Sequence, residues 1–215
     1  LMRLSVTRNF HRYSKYTTFG VGDSLATAKF SDPQKFSDQT NPLIFVFSGQ
    51  GPQNIDMGRT LYQRFPCFKD TIDKCDAVYK RLSNVSLIND LGIFGDKVGD
   101  KNIVNKVEYT LPSLIFVQLG LAELWMSCGV KPDAIIGHSF GEVCALYASG
   151  AMNLEEVMLM TYTRAKLMTE MPANSGSMIA IGTTKAVFTE MVKEHSIDSV
   201  WIAAENSEES ITVSG

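Results

Sequence analysis

The chain has 215 residues, with 20 Lys+Arg against 23 Asp+Glu, a formal net charge of -3 and 45% hydrophobic residues. This is the composition of an ordinary soluble protein with enough chain to bury a core, and without a dense Lys/Arg cluster it argues against nucleic acid or a membrane surface as partner. Cys67, Cys75, Cys128 and Cys144 lack C-x-x-C spacing, which points to reduced thiols and away from a zinc site or a disulfide framework.

No apolar segment reads as membrane-spanning, and the N-terminus lacks the apolar stretch of a signal peptide, so the cytoplasm is the expected compartment. Both ends look cut: the chain begins with Leu1 and stops at a strand-like run, Ile211 to Gly215, as in a segment of something longer. Residues 1–41 carry scattered basic and aromatic residues, His11 among them, then Gly20, Gly22 and Pro33, and read as an extended connector.

Leu43-Ile44-Phe45-Val46-Phe47 is a continuous apolar run stopped by Ser48-Gly49-Gln50-Gly51-Pro52, the pattern of a parallel strand buried on both faces and ending in a tight loop. A loop at that place is a common site position, although G-x-G without a third glycine is a poor dinucleotide fingerprint. From Phe68 to Leu82 apolar residues recur at three and four positions, which predicts an amphipathic helix. Residues 83–106 read as loop with a possible short helix.

Thr110 as cap, Pro112 in the first turn and Gly129 as stop bound a helix that is apolar on most faces and therefore buried. Ala134 to Gly137 follows as a strand, so strands and helices alternate as in a parallel α/β layer. Asn153 and Glu156 form a capping-box pattern that starts a helix running to about Met171 and carrying Arg164. Beyond Pro172, the order is strand (177–181), helix (185–195), strand (200–204), turn (205–209) and strand (211–214). That β-α-β-β sequence is the first part of a split, ferredoxin-like unit.

The chemistry concentrates at Gly137-His138-Ser139-Phe140-Gly141-Glu142. A serine fenced by glycines between a strand and a helix is the pattern of a nucleophile elbow, with Ser139 exposed at the tip and near the positive end of the following helix. Gly49-Gln50-Gly51, the elbow, Arg164 within Thr163 to Met168, the strand Gly176 to Ile181, and Ala203 to Ser207 leading to Ile211 to Gly215 occur in order. Together they resemble the malonyl-CoA:acyl carrier protein acyltransferase family, above all the acyltransferase domains of type I polyketide synthases and fatty acid synthases.

The resemblance implies an α/β fold with an α/β-hydrolase-like large subdomain over residues 42–175 and an incomplete ferredoxin-like subdomain over 176–215. Residues 1–41 would end the linker from a ketosynthase domain, with Leu4 to Tyr13 as its tail. Ser139 would take an acyl group, most readily malonyl, from malonyl-CoA and pass it to the phosphopantetheine thiol of an acyl carrier protein. No directly bound cofactor is implied. The N–H groups of Gln50 and Phe140 would hold the oxyanion, and Arg164 would clamp the malonyl carboxylate. His138, Gly137, Gly141, Gly49 and Gly51 would support them.

The family's histidine base lies further beyond the serine than residue 215, and His195, at a helix end, suits that role badly. The fragment by itself is therefore expected to be nearly inert. A non-catalytic remnant serving as docking module, or a serine thioesterase or esterase, are the alternative readings.

Overall fold

A computed structural model describes residues 16–18, 20–22, 24, 26–35, 41–95, 100–172 and 176–215. The linker-like run at 4–13, with His11, lies outside the described residues. The chain divides into two compact units, Leu1–Thr169 and Glu170–Gly215.

Within the first unit, part of the expected connector is paired. Strands β1 (Tyr16–Thr17) and β4 (Gln34–Lys35) are antiparallel, as are β2 (Gly20–Val21) and β3 (Lys29–Phe30). The α/β layer begins with β5 (Ile44–Phe47), which lies parallel to β6 (Ala134–Gly137) with Ile44 opposite Ala134 and Phe47 opposite Gly137. The expectation of a strand buried on both faces needs correction: Phe47 is buried, but Ile44, Val46 and Ile136 are exposed. Helices cover one face of this pair among the described residues, and the alternating side chains of a strand serve opposite faces.

Helices α1 (Arg59–Arg64) and α2 (Pro66–Ser83) meet at Phe65, whose extended backbone and the following Pro66 separate them. The predicted apolar face of α2 is the buried one: Phe68, Ile72, Cys75 and Tyr79 all lie in the core. Among the described residues, the segment after α2 contains only a 3₁₀ turn, Ile103–Asn105, yet Leu87, Ile93 and Phe94 are fully buried. Its anchor is Asp76. That buried carboxylate accepts hydrogen bonds from the Ser86 hydroxyl (2.6 Å) and the Leu87 N–H (2.7 Å), so a charge on α2 fixes the irregular loop.

Helix α3 (Val107–Ser127) starts earlier than the sequence pattern predicts. Thr110 is not its cap, because the Thr110 hydroxyl donates back to the carbonyls of Val104 (2.6 Å) and Lys106 (3.0 Å). Pro112 consequently sits inside the helix, where it cannot donate to the carbonyl of Glu108. The Tyr79 hydroxyl supplies the missing hydrogen bond at 2.9 Å. At the other end Gly129 adopts φ 83° and α3 stops there as predicted.

By length and composition α3 is apolar enough to cross a membrane, which corrects the reading that no segment is. Here it is a core helix, with Leu111, Ile115, Phe116, Leu119 and Ala122 buried and Phe116 stacked on Phe94 at 6.4 Å between centroids. Helices α4 (Gly141–Ala148) and α5 (Leu154–Glu170) complete the unit. The capping box on α5 forms reciprocally: Asn153 N–H donates to Glu156 (2.8 Å) and Glu156 N–H donates to Asn153 (3.1 Å).

The second unit contains β7 (Met178–Ile181), α6 (Lys185–Glu194), β8 (Trp201–Ser207) and β9 (Ser210–Ser214) in an antiparallel sheet of order β7-β9-β8. Phe188 packs on Ile211 and Val213 as its core. Strand β8 runs on through Glu205, Asn206 and Ser207, where the polar composition predicts a turn. As an edge strand with two register shifts, it accommodates polar side chains that a central strand would not.

Cys75 and Cys144 are buried and free, whereas Cys67 and Cys128 are partly accessible. Burial, reinforced by the neighbouring Asp76 charge, pushes the Cys75 thiol up from 9.0 to about 12, and burial raises Cys144 too. Iodoacetamide at about pH 8 is therefore expected to label Cys67 and Cys128 in the folded protein and to spare Cys75 and Cys144, by peptide mass mapping. Between pH 9.0 and about 12 the unfolded chain loses the Cys75 proton and the folded one keeps it, so stability falls as pH rises through that window. Labelling of Cys75 without prior unfolding would contradict this account of the core.

Candidate active site

Because β5 and β6 are parallel and in register, their C-terminal ends finish side by side. The His138 N–H extends the ladder by one bond, to the Phe47 carbonyl at 2.9 Å. The chain then has only His138, Ser139 and Phe140 in which to turn from β6 into α4. Ser139 makes the turn with φ 53°, a left-handed conformation that costs a residue with a Cβ about 1–2 kcal/mol. Three bonds hold it there: Gly141 N–H to His138 O (2.9 Å), Glu142 N–H to Ser139 O (3.2 Å) and Val143 N–H to Phe140 O (3.2 Å). The Phe140 ring is buried, and Ser139 is left exposed.

The flanking glycines are demanded by close backbone approach. A Cβ on Gly141 would stand 2.3 Å from the Phe47 carbonyl oxygen, and one on Gly137 would stand 2.5 Å from the Glu142 nitrogen. Gly49 brings the loop after β5 against the same turn, since a Cβ there would lie 3.0 Å from the Ser139 Cβ and 3.4 Å from the His138 Nδ1. Gly51 has φ 138°, and its N–H is held by the Gln53 side chain at 2.8 Å. Among the described residues, no protein group accepts from the N–H of Gln50 or of Phe140.

Arg164 reaches the elbow from α5. Its guanidinium carbon is 5.2 Å from the centroid of the Phe140 ring, within cation–π range, and no carboxylate pairs with it among the described residues. The Gln50 loop, the Ser139 elbow and Arg164 are thus brought together from three separate stretches of sequence. His138 is exposed beside Gly49. His195 belongs to the other unit, where it ends α6 and its Nδ1 lies 3.1 Å from the Met191 carbonyl oxygen.

One residue at this site is absent from the sequence reading. Gln118, on α3, accepts from the Ser48 N–H at 2.9 Å and donates to the Ser48 carbonyl at 3.2 Å. Its only signal in the sequence is an amide inside an otherwise apolar run, Leu114 to Leu121.

An acyl transferase domain family model matches residues 44–215. The chain belongs to the acyl transferase domain family. A highly reducing polyketide synthase of Strobilurus tenacellus is 36% identical over 194 residues, which is 86% of this chain and 7% of that synthase. Among solved structures, the acyltransferase domain from the second module of the salinomycin polyketide synthase matches with a TM-score of 0.77 at 26% identity, covering 100% of this chain and 50% of that one. An MCAT from Streptococcus pneumoniae matches with a TM-score of 0.66 at 31% identity, covering 80% of this chain and 54% of that one. This acyl transferase chain therefore spans about half the length of the solved structures it matches and a small part of the synthase.

Proposed function

We propose that this chain is the nucleophile-bearing part of an acyltransferase that moves a malonyl group from CoA, through Ser139, to the phosphopantetheine thiol of an acyl carrier protein within a polyketide synthase. The observation that carries the reading is the juxtaposition at the elbow: an exposed serine at φ 53°, the Gly49 loop against it, and Arg164 over the adjacent Phe140 ring. In the first half-reaction the Ser139 Oγ attacks the thioester carbonyl and gives up its proton to a base. The tetrahedral oxyanion collapses with departure of the CoA thiolate, which takes a proton. The carrier thiol then attacks the acyl-serine, and the Ser139 oxygen recovers its proton as the new thioester leaves.

The N–H groups of Gln50 and Phe140 are the donors proposed for the oxyanion, a role in which one donor contributes about 10²–10³ in rate. Arg164 supplies a planar fork for the free carboxylate of malonyl and has no internal carboxylate competing for it among the described residues. No side chain among the described residues bonds the Ser139 hydroxyl, and His195 is engaged at its own helix end. We therefore propose that the base lies outside the described residues, and expect this chain alone to load malonyl very slowly.

The test uses a chain spanning a full acyl transferase domain, with acyl transfer followed by intact mass of enzyme and carrier protein. Malonyl-CoA is expected to acylate the enzyme and then the carrier. Arg164→Ala is expected to lower malonyl loading by about 10- to 100-fold, the loss of a charge-assisted hydrogen-bonded pair, while acetyl loading rises. Equal malonyl loading by wild type and Arg164→Ala would remove the carboxylate clamp from the reading. Release of free acid to water in place of transfer to the carrier would favour a hydrolase.

A further inference from the structure

We propose that Gln118 is a positioning residue for the candidate oxyanion loop, and that it acts by holding both ends of one residue's backbone. The inference rests on the function proposed above. Ser48 is the first residue past β5, where the ladder with β6 has ended and its own N–H and C=O need new partners. The Gln118 amide meets both, accepting at 2.9 Å and donating at 3.2 Å, so one side chain does what a neighbouring strand would have done. Gln118 is half-buried in an otherwise apolar stretch of α3, and among the described residues its polar atoms are paired wholly with Ser48.

The position it fixes is the one the site depends on. The Ser48 carbonyl oxygen would be 2.7 Å from a Cβ on Gly141, and the next residue, Gly49, abuts Ser139. Ser48 is therefore braced between α3 and the start of α4, with Gln50 two residues further along. A groove of about 480 Å³ that borders Ser48 and Gln118 is otherwise lined by apolar side chains, including Val46, Leu121 and Trp125. Without the amide, the loop has no polar tether on that flank, and the Gln50 N–H is free to move relative to Ser139.

Two variants of a chain spanning the full domain separate this role from a packing role. Gln118→Met keeps the volume and loses both hydrogen bonds; Gln118→Glu keeps the acceptor for the Ser48 N–H and loses the donor. The single-turnover rate of acyl-Ser139 formation from malonyl-CoA, its dependence on malonyl-CoA concentration, and Tm are measured together. Gln118→Met is expected to slow acylation by about 10- to 100-fold with the half-saturating concentration changed less than about threefold, because an oxyanion donor acts on the transition state and not on ground-state binding. Gln118→Glu is expected to fall between Gln118→Met and wild type. Amide exchange at Ser48, whose N–H Gln118 accepts, is expected to quicken in Gln118→Met.

Acylation by folded Gln118→Met at the wild-type rate, with wild type forming the adduct normally, overturns this inference alone. A lower yield of folded protein with an unchanged rate per folded molecule does the same. Absence of an acyl adduct in wild type overturns the proposed function and this inference with it.

Discussion

Ser139→Ala is expected to abolish acyl loading, with a fall of about 10⁴–10⁶ in rate, as when the nucleophile of a serine triad is removed. The measurement is intact mass after incubation of a full acyl transferase domain with malonyl-CoA. A persistent adduct on the alanine variant would place the nucleophile elsewhere. Ser139→Gly adds a second readout that depends on the geometry of the turn. It should load no better than alanine, yet it releases the strain of a Cβ at φ 53° and is expected to be more stable than alanine by about 1 kcal/mol in urea unfolding. A catalytic role and a strained backbone make separate predictions at the same residue, and only their conjunction fits a nucleophile elbow.

Gly141→Ala is expected to be the most damaging single methyl in the first unit. The new Cβ would lie 2.3 Å from the Phe47 oxygen, 2.6 Å from the Phe47 carbon and 2.7 Å from the Ser48 oxygen. All three are backbone atoms, so no rotamer change relieves the overlap. The start of α4 must withdraw from the end of β5, and with it the turn from the Gly49 loop. Alanine's better helix propensity, worth about 1 kcal/mol, acts in the opposite direction and is outweighed. We expect a net loss of about 2–4 kcal/mol in unfolding free energy, typical of severe overpacking. Wild-type stability in this variant would mean that the strand and the helix are less tightly apposed than described.

The elements that place the site were legible because their signals are local. The apolar runs of β5 and β6, the glycines around Ser139 and the capping box at Asn153 each specify their geometry within a few residues. What escaped the sequence depends on partners far along the chain. Thr110 and Pro112 resemble a helix start in isolation; the helix begins at Val107 because the Thr110 hydroxyl turns back on Val104 and Tyr79 satisfies the Glu108 carbonyl. Residues 83–106 read as loop with a possible short helix; what holds the stretch around Ser86 and Leu87 is Asp76, a charge with no periodic signature. Gln118 was invisible for the same reason: its partner, Ser48, is 70 residues away.

The contact between Arg164 and Phe140 ties the two ends of the proposed substrate to a single residue. On the proposed function, the Phe140 backbone N–H faces the thioester oxygen, and its ring carries the guanidinium that meets the distal carboxylate. Position 140 would then work as a gauge of acyl length. The span from the reacting carbonyl to the arginine would be measured through one side chain, so changing its bulk would retune which diacid fits without touching either charged partner.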